Sequence, residues 1–267
     1  MEKQFSDRWA IILGGSSGFG LATVEKLALH GMNIAALYRE TSAGEKALKE
    51  KLQGIAAAAG VTIEAHNVNA LDADSREAFV RQFAAAEGRK QRVRLLLHSI
   101  ARGNLKPLAA APGEATELLG IEDIRFTAYA MGTSLLDWAR SLFVNGLFCA
   151  DARIIGLTSE GAHKYWDGYA AVSIAKASLE SLVTYMAVEL GKYGLKTNLI
   201  QAGITATPSL KRIPSSDQLL DLTPRRNPLG RMTQVEDIAN AIYLLCLDEA
   251  AWINGSLLHV DGGEHCR

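Results

Sequence analysis

A tyrosine and a lysine seven residues apart, Tyr169 and Lys176 in the stretch GYAAVSIAKAS, are a pair whose types and spacing suit chemistry. On an α-helix, seven residues turn through ~700°, so both side chains leave from nearly one line, about 10 Å apart along the axis. That separation suits two groups that touch one extended ligand. A phenol of pKa ~10 is a poor acid or base at neutral pH, and a neighbouring ammonium lowers that value by stabilising the phenolate. A phenol that stays neutral has a different use: it donates a hydrogen bond to an oxygen that becomes negative. Lysine's three donors can also anchor ribose hydroxyls. A buried helix that happens to carry both residues gives the same spacing, so the surrounding elements must decide.

Those elements alternate. Short apolar runs at 9–13, 33–38, 61–68, 93–99, 153–159, 195–203 and 256–263 read as strands, and segments of helical period lie between most of them. Strands apolar on both faces and separated by helices predict an α/β fold: one doubly wound, Rossmann-type parallel sheet with helices on both sides. No repeat or flexible linker divides the chain, so residues 1–267 read as a single domain. The Tyr169–Lys176 helix follows the fifth strand, which puts Tyr169 near the carboxyl ends of the strands, where open parallel sheets bind ligands. Residues 102–122 and 204–228 fit poorly as strand–helix units. Irregular insertions of that length are usually functional loops, and 204–228 is expected to cover a substrate.

Between the first strand and the first helix, LGGSSGFG places Gly14, Gly18 and Gly20, with Ser16, Ser17 and Phe19 completing the turn. Glycines let backbone N–H groups approach a phosphate, and the following helix N-terminus adds partial positive charge. In a first strand–turn–helix unit this pattern predicts a dinucleotide site. The end of the second strand chooses the dinucleotide: an acidic residue there binds a free ribose 2'-OH, whereas an arginine favours a 2'-phosphate. The chain reads Tyr38-Arg39-Glu40-Thr41. Arg39 argues for NADPH over NADH, with Thr41 and Ser42 as further donors; Glu40 either turns outward or competes for the ribose.

Composition narrows the classes. Hydrophobic residues at 48% and charged residues at 21% describe a soluble globular protein, and a net charge of -1 offers no attraction for nucleic acid or an anionic membrane. No apolar stretch is expected to span a bilayer, and the N-terminal MEKQFSDRWAIIL reads as a strand rather than a signal peptide. Cys149, Cys246 and Cys266 are widely spaced and read as reduced thiols of a cytoplasmic protein. His265 and Cys266 form no metal ligand set, and no metal is expected.

On these residues the chain resembles the short-chain dehydrogenase/reductase superfamily along essentially its whole length. LGGSSGFG is similar to that family's TGxxxGxG turn, with Leu13 in place of threonine, and VDGG at 260–263 is similar to its closing strand. Most members carry a tyrosine four before the lysine, where this chain has Val172; Ser159 does hold the serine position after the fifth strand. Tyrosine seven before the lysine, HSIA at 98–101 and AGITAT at 202–207 resemble the enoyl-acyl-carrier-protein reductases. The run LKRIPSSDQLL resembles their NADPH-using type III form.

The resemblance implies that Tyr169 donates to a thioester carbonyl while hydride reaches the β-carbon of a trans-2-enoyl chain, and that Lys176 holds the nicotinamide ribose. Tyr165, eleven before the lysine, is expected as a second catalytic tyrosine. Asn67 and Val68 are expected beside adenine, and His98, Ser99, Ile100 and Ala101 along the cofactor with Ser159. Gly203, Ile204, Thr205 and Thr207 are expected over the carboxamide and phosphates. Around Tyr129-Ala130-Met131 there is no counterpart of the asparagine of a ketoreductase proton relay. The partners implied are an acyl-carrier-protein or coenzyme A thioester and a homotetramer joined through helices near 121–141 and 168–190. Two alternatives stay open: a carbonyl reductase of a ketone or 3-ketoacyl thioester, and a silent NADP-binding regulator.

Overall fold

The computed structural model describes residues 3–214 and 216–267. Among the described residues, seven strands form one sheet: β1 (Trp9–Leu13), β2 (Asn33–Tyr38), β3 (Ile63–Asn67), β4 (Val93–His98), β5 (Phe148–Thr158), β6 (Leu195–Ala202) and β7 (Leu257–Val260). Their order is β3-β2-β1-β4-β5-β6-β7, with every pairing parallel. The central strands are apolar on both faces because both are covered. Ile11, Leu13 and Leu96 pack into one core layer and Ile12, Leu95 and Leu97 into the other. The expected doubly wound sheet is therefore the observed one. Its strand order reverses between β1 and β4, which opens a crevice at their carboxyl ends.

The helices are α1 (Gly18–Leu29), α2 (Ser42–Ala59), α3 (Ala73–Ala85), α4 (Ile121–Ala128), α5 (Ser134–Val144), α6 (Ala170–Gly191), α7 (Ser216–Arg226) and α8 (Val235–Cys246). A π-helical segment, Tyr129–Thr133, joins α4 to α5 without a break. Three expectations need correction. The fifth strand starts at Phe148, well before residue 153, because Phe148 already pairs with Val93 and the residues between it and Arg153 bulge opposite Arg94. The covering segment 204–228 is not wholly irregular: it holds a 3-10 turn, Leu210–Arg212, and α7. Pro224 suggested a loop, but it falls in the last turn of α7, where a missing N–H costs one bond before the helix ends. Finally, α6 is long and apolar enough to cross a membrane by length and composition alone. Its apolarity has two sources: an inner face in the core, with Leu179, Val183 and Met186 buried, and an outer face exposing Ile174, Tyr185 and Val188.

Near the amino-terminal ends of β4, β5 and β6, remote from the crevice, charge replaces apolar packing. Asp151 on β5 accepts from Arg94 of β4 (2.8 Å), Arg153 of β5 (2.6 Å) and Lys196 of β6 (2.5 Å). The same guanidiniums cap the end of α8: Arg94 donates to the Cys246 carbonyl (2.7 Å) and Arg153 to that of Leu245 (2.7 Å). Cations on the last carbonyls of a helix satisfy both its open acceptors and its dipole. Arg153 is fully buried, so Asp151 is the charge that keeps it tolerable.

The Arg153, Lys196 and Arg94 cations overcome burial and hold the Asp151 carboxyl well below the usual carboxylate range. A depressed folded-state pKa means that this contribution is fully present above the unfolded value of ~3.9 and fades as pH falls toward the folded value. Asp151→Ala, which strands a buried arginine, is expected to cost ~3–5 kcal/mol in urea denaturation at neutral pH. The difference between variant and wild type should shrink below about pH 4.

Candidate active site

The glycine turn forms the floor of the crevice. Gly14, at φ 90°, and Gly15 both donate their N–H groups to the Leu37 carbonyl, at 2.9 and 3.0 Å. A Cβ on Gly14 would lie 2.3 Å from the Ser99 carbonyl oxygen, so only glycine lets β1 and β4 close up there. Gly20 lies behind the turn, where its Cβ would meet the Gly14 oxygen at 2.1 Å; it permits the helix to approach and does not itself line the cleft. Ser17 caps α1 with its backbone only, which leaves the first N–H groups of the helix open to the crevice.

From this floor a cleft of about 840 Å3 runs from Arg39 at one end to Tyr169 and Lys176 at the other. It brings together Gly14, Ser16, Ser17, Gly18, Phe19, Val68, Ser99, Ile100, Ala101, Ser159, Gly203, Ile204, Thr205 and Thr207, as the sequence expects. Arg39 is exposed and makes no ion pair among the described residues. Open helix N–H groups at the floor, a cation at one end and an ammonium at the other fit a pyridine dinucleotide. Thr207 faces the turn: its Cγ2 would be 3.6 Å from a Cβ on Gly18.

Besides Gly20, three expected residues stand elsewhere. Asn67 is exposed outside the cleft, its amide tied to the Glu40 carbonyl (3.0 Å) and the Glu45 carboxylate (2.9 Å). It holds the Arg39–Thr41 turn in place, and Val68 takes the position on the cleft wall. The His98 ring is buried at the end of β4, with Nε2 2.9 Å from Ser134 Oγ, whose hydroxyl in turn donates to the Ala130 carbonyl. Burial, and then the Lys176 charge, lower its pKa to about 3, so it is a neutral strut under the π-helical segment. Tyr165 is 84% exposed and donates to Asp167 at 2.6 Å. It precedes the helix on an irregular loop, where spacing to Lys176 fixes no direction.

Tyr169 is the residue just before α6, and its carbonyl accepts the first helical bond, from Ser173 N at 2.8 Å. Its phenol is buried, donates to Ser159 Oγ at 3.2 Å, and has its pKa raised by burial, against the lowering effect of Ser159. The phenolate role considered from the sequence therefore gives way to the neutral donor. A Cβ on Gly161 would lie 2.5 Å from Tyr169 Cε1, so bare backbone fixes the ring. Lys176 is buried and donates to the Met131 carbonyl at 3.0 Å. Burial lowers its pKa to about 8, with Glu180 opposing.

The Met131 carbonyl was not visible in the sequence, yet it is what holds Lys176. Met131 lies in the π-helical segment, a feature that is rare in helices and frequent at functional sites. Gly132 was the available signal: its Cβ would be 2.7 Å from the Ala175 carbonyl, so this helix and α6 meet backbone to backbone. Sequence reasoning also missed Trp166, whose ring lies 5.0 Å from that of Tyr169, and the apolar wall formed by Leu105, Val172 and Ile213. From the C-terminal end, Asp261, Glu264 and His265 return to line the cleft. Arg226, ending α7, ties the covering segment to Glu160.

Comparison with known proteins agrees with this geometry. Residues 14–265 match the family described as Enoyl-(Acyl carrier protein) reductase. Enoyl-[acyl-carrier-protein] reductase [NADH] of Aquifex aeolicus is 38% identical over 112 residues, a stretch covering 42% of this chain and 42% of that protein. D-erythrulose reductase of Gallus gallus is 29% identical over 260 residues, covering 97% of this chain and 96% of that one. The solved Aquifex aeolicus enoyl reductase superposes with a TM-score of 0.80 at 24% identity, over 99% of this chain and 98% of its own. A short-chain dehydrogenase/reductase from Serratia marcescens also gives 0.80 at 24% identity, over 98% of this chain and 99% of that one. At such identities the structures speak for the fold. With the glycine turn, the buried tyrosine and lysine and the family match along 14–265, the chain is an oxidoreductase of the short-chain dehydrogenase/reductase superfamily, in its enoyl-acyl-carrier-protein reductase branch.

Proposed function

We propose that this chain reduces the carbon–carbon double bond of a trans-2-enoyl thioester, with NADPH as the reductant. The observation that carries the reading is the buried, neutral Tyr169 seven residues before a buried Lys176, with Val172 where most relatives place their tyrosine. When bound, the reduced nicotinamide supplies the hydride that reaches the β-carbon. The enolate that results takes its proton at the α-carbon from solvent, and the residues of the chain bind, orient and stabilise it. Tyr169 donates its hydroxyl proton as a hydrogen bond to the thioester oxygen, where negative charge develops; a neutral phenol in a dry site is well suited to that. Lys176, held by Met131, presents its remaining N–H donors to the ribose. Leu105, Met131, Trp166, Val172 and Ile213 offer the acyl chain an apolar wall, and the 204–228 segment shields it from water.

NADPH rather than NADH rests on Arg39, a cation with no ion pair among the described residues, at the glycine-turn end of the cleft. The thioester is expected on acyl-carrier protein or coenzyme A. A cytoplasmic homotetramer completes the reading, supported by three free cysteines and by Ile174, Tyr185 and Val188 exposed on α6. The Tyr169–Ser159 hydrogen bond favours a second reading, reduction of a ketone, which is also what the name of the Gallus gallus relative describes.

Four measurements test these readings. NADPH oxidation with a 2-enoyl thioester should exceed that with the matching 3-ketoacyl thioester by at least about tenfold, and the reverse order would replace the first reading by the second. Tyr169→Phe should lower turnover by about 100-fold and leave the NADPH dissociation constant within about twofold. Arg39→Ala should weaken NADPH about tenfold or more in calorimetry, with little change for NADH. Because Lys176 is charged only below about 8, nucleotide affinity should fall as pH rises through that value. Lys176→Arg, which keeps its charge, should flatten the fall.

A further inference from the structure

We propose that Cys266 is a modification site at the rim of the cleft, its thiol activated by His265 and Asp261 for exchange with small disulfides. Cys266 is exposed, and its Sγ lies 3.4 Å from His265 Nε2. The opposite ring nitrogen, His265 Nδ1, is 2.7 Å from Asp261 Oδ2. Asp261 is buried and its carboxylate also accepts from the backbone of Gly263 (2.9 Å) and His265 (3.0 Å), so it stays ionised and Nδ1 must carry the proton. That tautomer turns the lone pair of Nε2 toward the thiol. His259 stacks on the His265 ring at 3.8 Å and fixes its plane. Nucleophile, base and orienting carboxylate thus stand in the order that activates a thiol. Lys164 and Arg226 both donate to the carbonyl oxygen of the next residue, Arg267, and so hold the segment that carries Cys266 in place.

In the exchange, His265 Nε2 takes the thiol proton and Sγ attacks one sulfur of the disulfide. The disulfide S–S bond breaks as the new one forms, and the departing thiolate takes the proton from the imidazolium. Cys266 is oxidised to a mixed disulfide while the other half of the reagent is reduced to a thiol. His265 and Asp261 line the nucleotide cleft, so the adduct stands at its edge. Two internal comparators exist: Cys149 and Cys246 are buried, and burial pushes the Cys246 thiol up to about 12.

The test is incubation of the intact protein with glutathione disulfide at about pH 7, followed by mass spectrometry of the whole chain and its peptides. One glutathione is expected, on Cys266, removable by dithiothreitol and absent in Cys266→Ser. The rate should fall by about tenfold in His265→Gln, and should exceed that of the wild-type thiols unfolded in urea by a similar factor. The unfolded reference decides the matter even if His265→Gln does not fold. Addition to Cys149 or Cys246 first, or a native Cys266 rate no faster than that of the unfolded chain, overturns the proposal.

Discussion

A lysine ammonium with almost no water around it is the constraint on which the rest of the site depends. Lys176 is 5% exposed, and burying such a charge is costly unless its donors are met. The chain meets that need with backbone rather than with a carboxylate, through the Met131 carbonyl. That oxygen belongs to the π turn that joins α4 to α5. For it to be near, Gly132 has to let two helix backbones touch. His98 and Ser134 then brace the widened turn from β4. A neutral partner leaves the charge of the lysine uncancelled, so it remains available to a ligand and its proton is held less tightly than usual.

The tyrosine follows from the same geometry. Had Lys176 been aimed at Tyr169 as a counter-ion, the phenol would have been drawn toward ionisation. Instead its hydroxyl meets Ser159, its ring lies against Gly161 and Trp166, and burial keeps it protonated. A protonated phenol can donate a hydrogen bond to a forming enolate or pass its proton to a carbonyl oxygen, so its protonation serves either reduction and only the choice of substrate separates them.

Much of this was legible in the residues. The strands showed because both faces are buried and their runs are apolar. The glycine turn showed because its glycines stand where backbone contacts leave no space for a side chain. Tyr169 and Lys176 showed because a helix turns their spacing into a shared line, although the helix begins only at Ala170. Tyr165 misled for the converse reason, since a loop has no period. The π turn left almost no trace, being a shift of backbone hydrogen bonds with only Gly132 to mark it. Asp261, Glu264 and His265 were hidden by distance along the chain: they reach the cleft because β7 pairs with β6, a tertiary fact that no local pattern records. In α7, Ser, Pro and Arg spoke for a loop, and tertiary packing at Thr223 and Asn227 prevailed.

The attachment of the covering segment has a mechanical side. Arg226 meets Glu160 and lies 3.9 Å from Glu264, and both carboxylates are largely shielded from solvent. Withdraw that guanidinium and two acidic groups are left facing one another, with Lys164 remaining beside only one of them. Any outward swing of the segment therefore builds up repulsion behind it, and the return of the arginine relieves that repulsion. The guanidinium thus fastens the end of the covering segment to the short turn that carries Glu160.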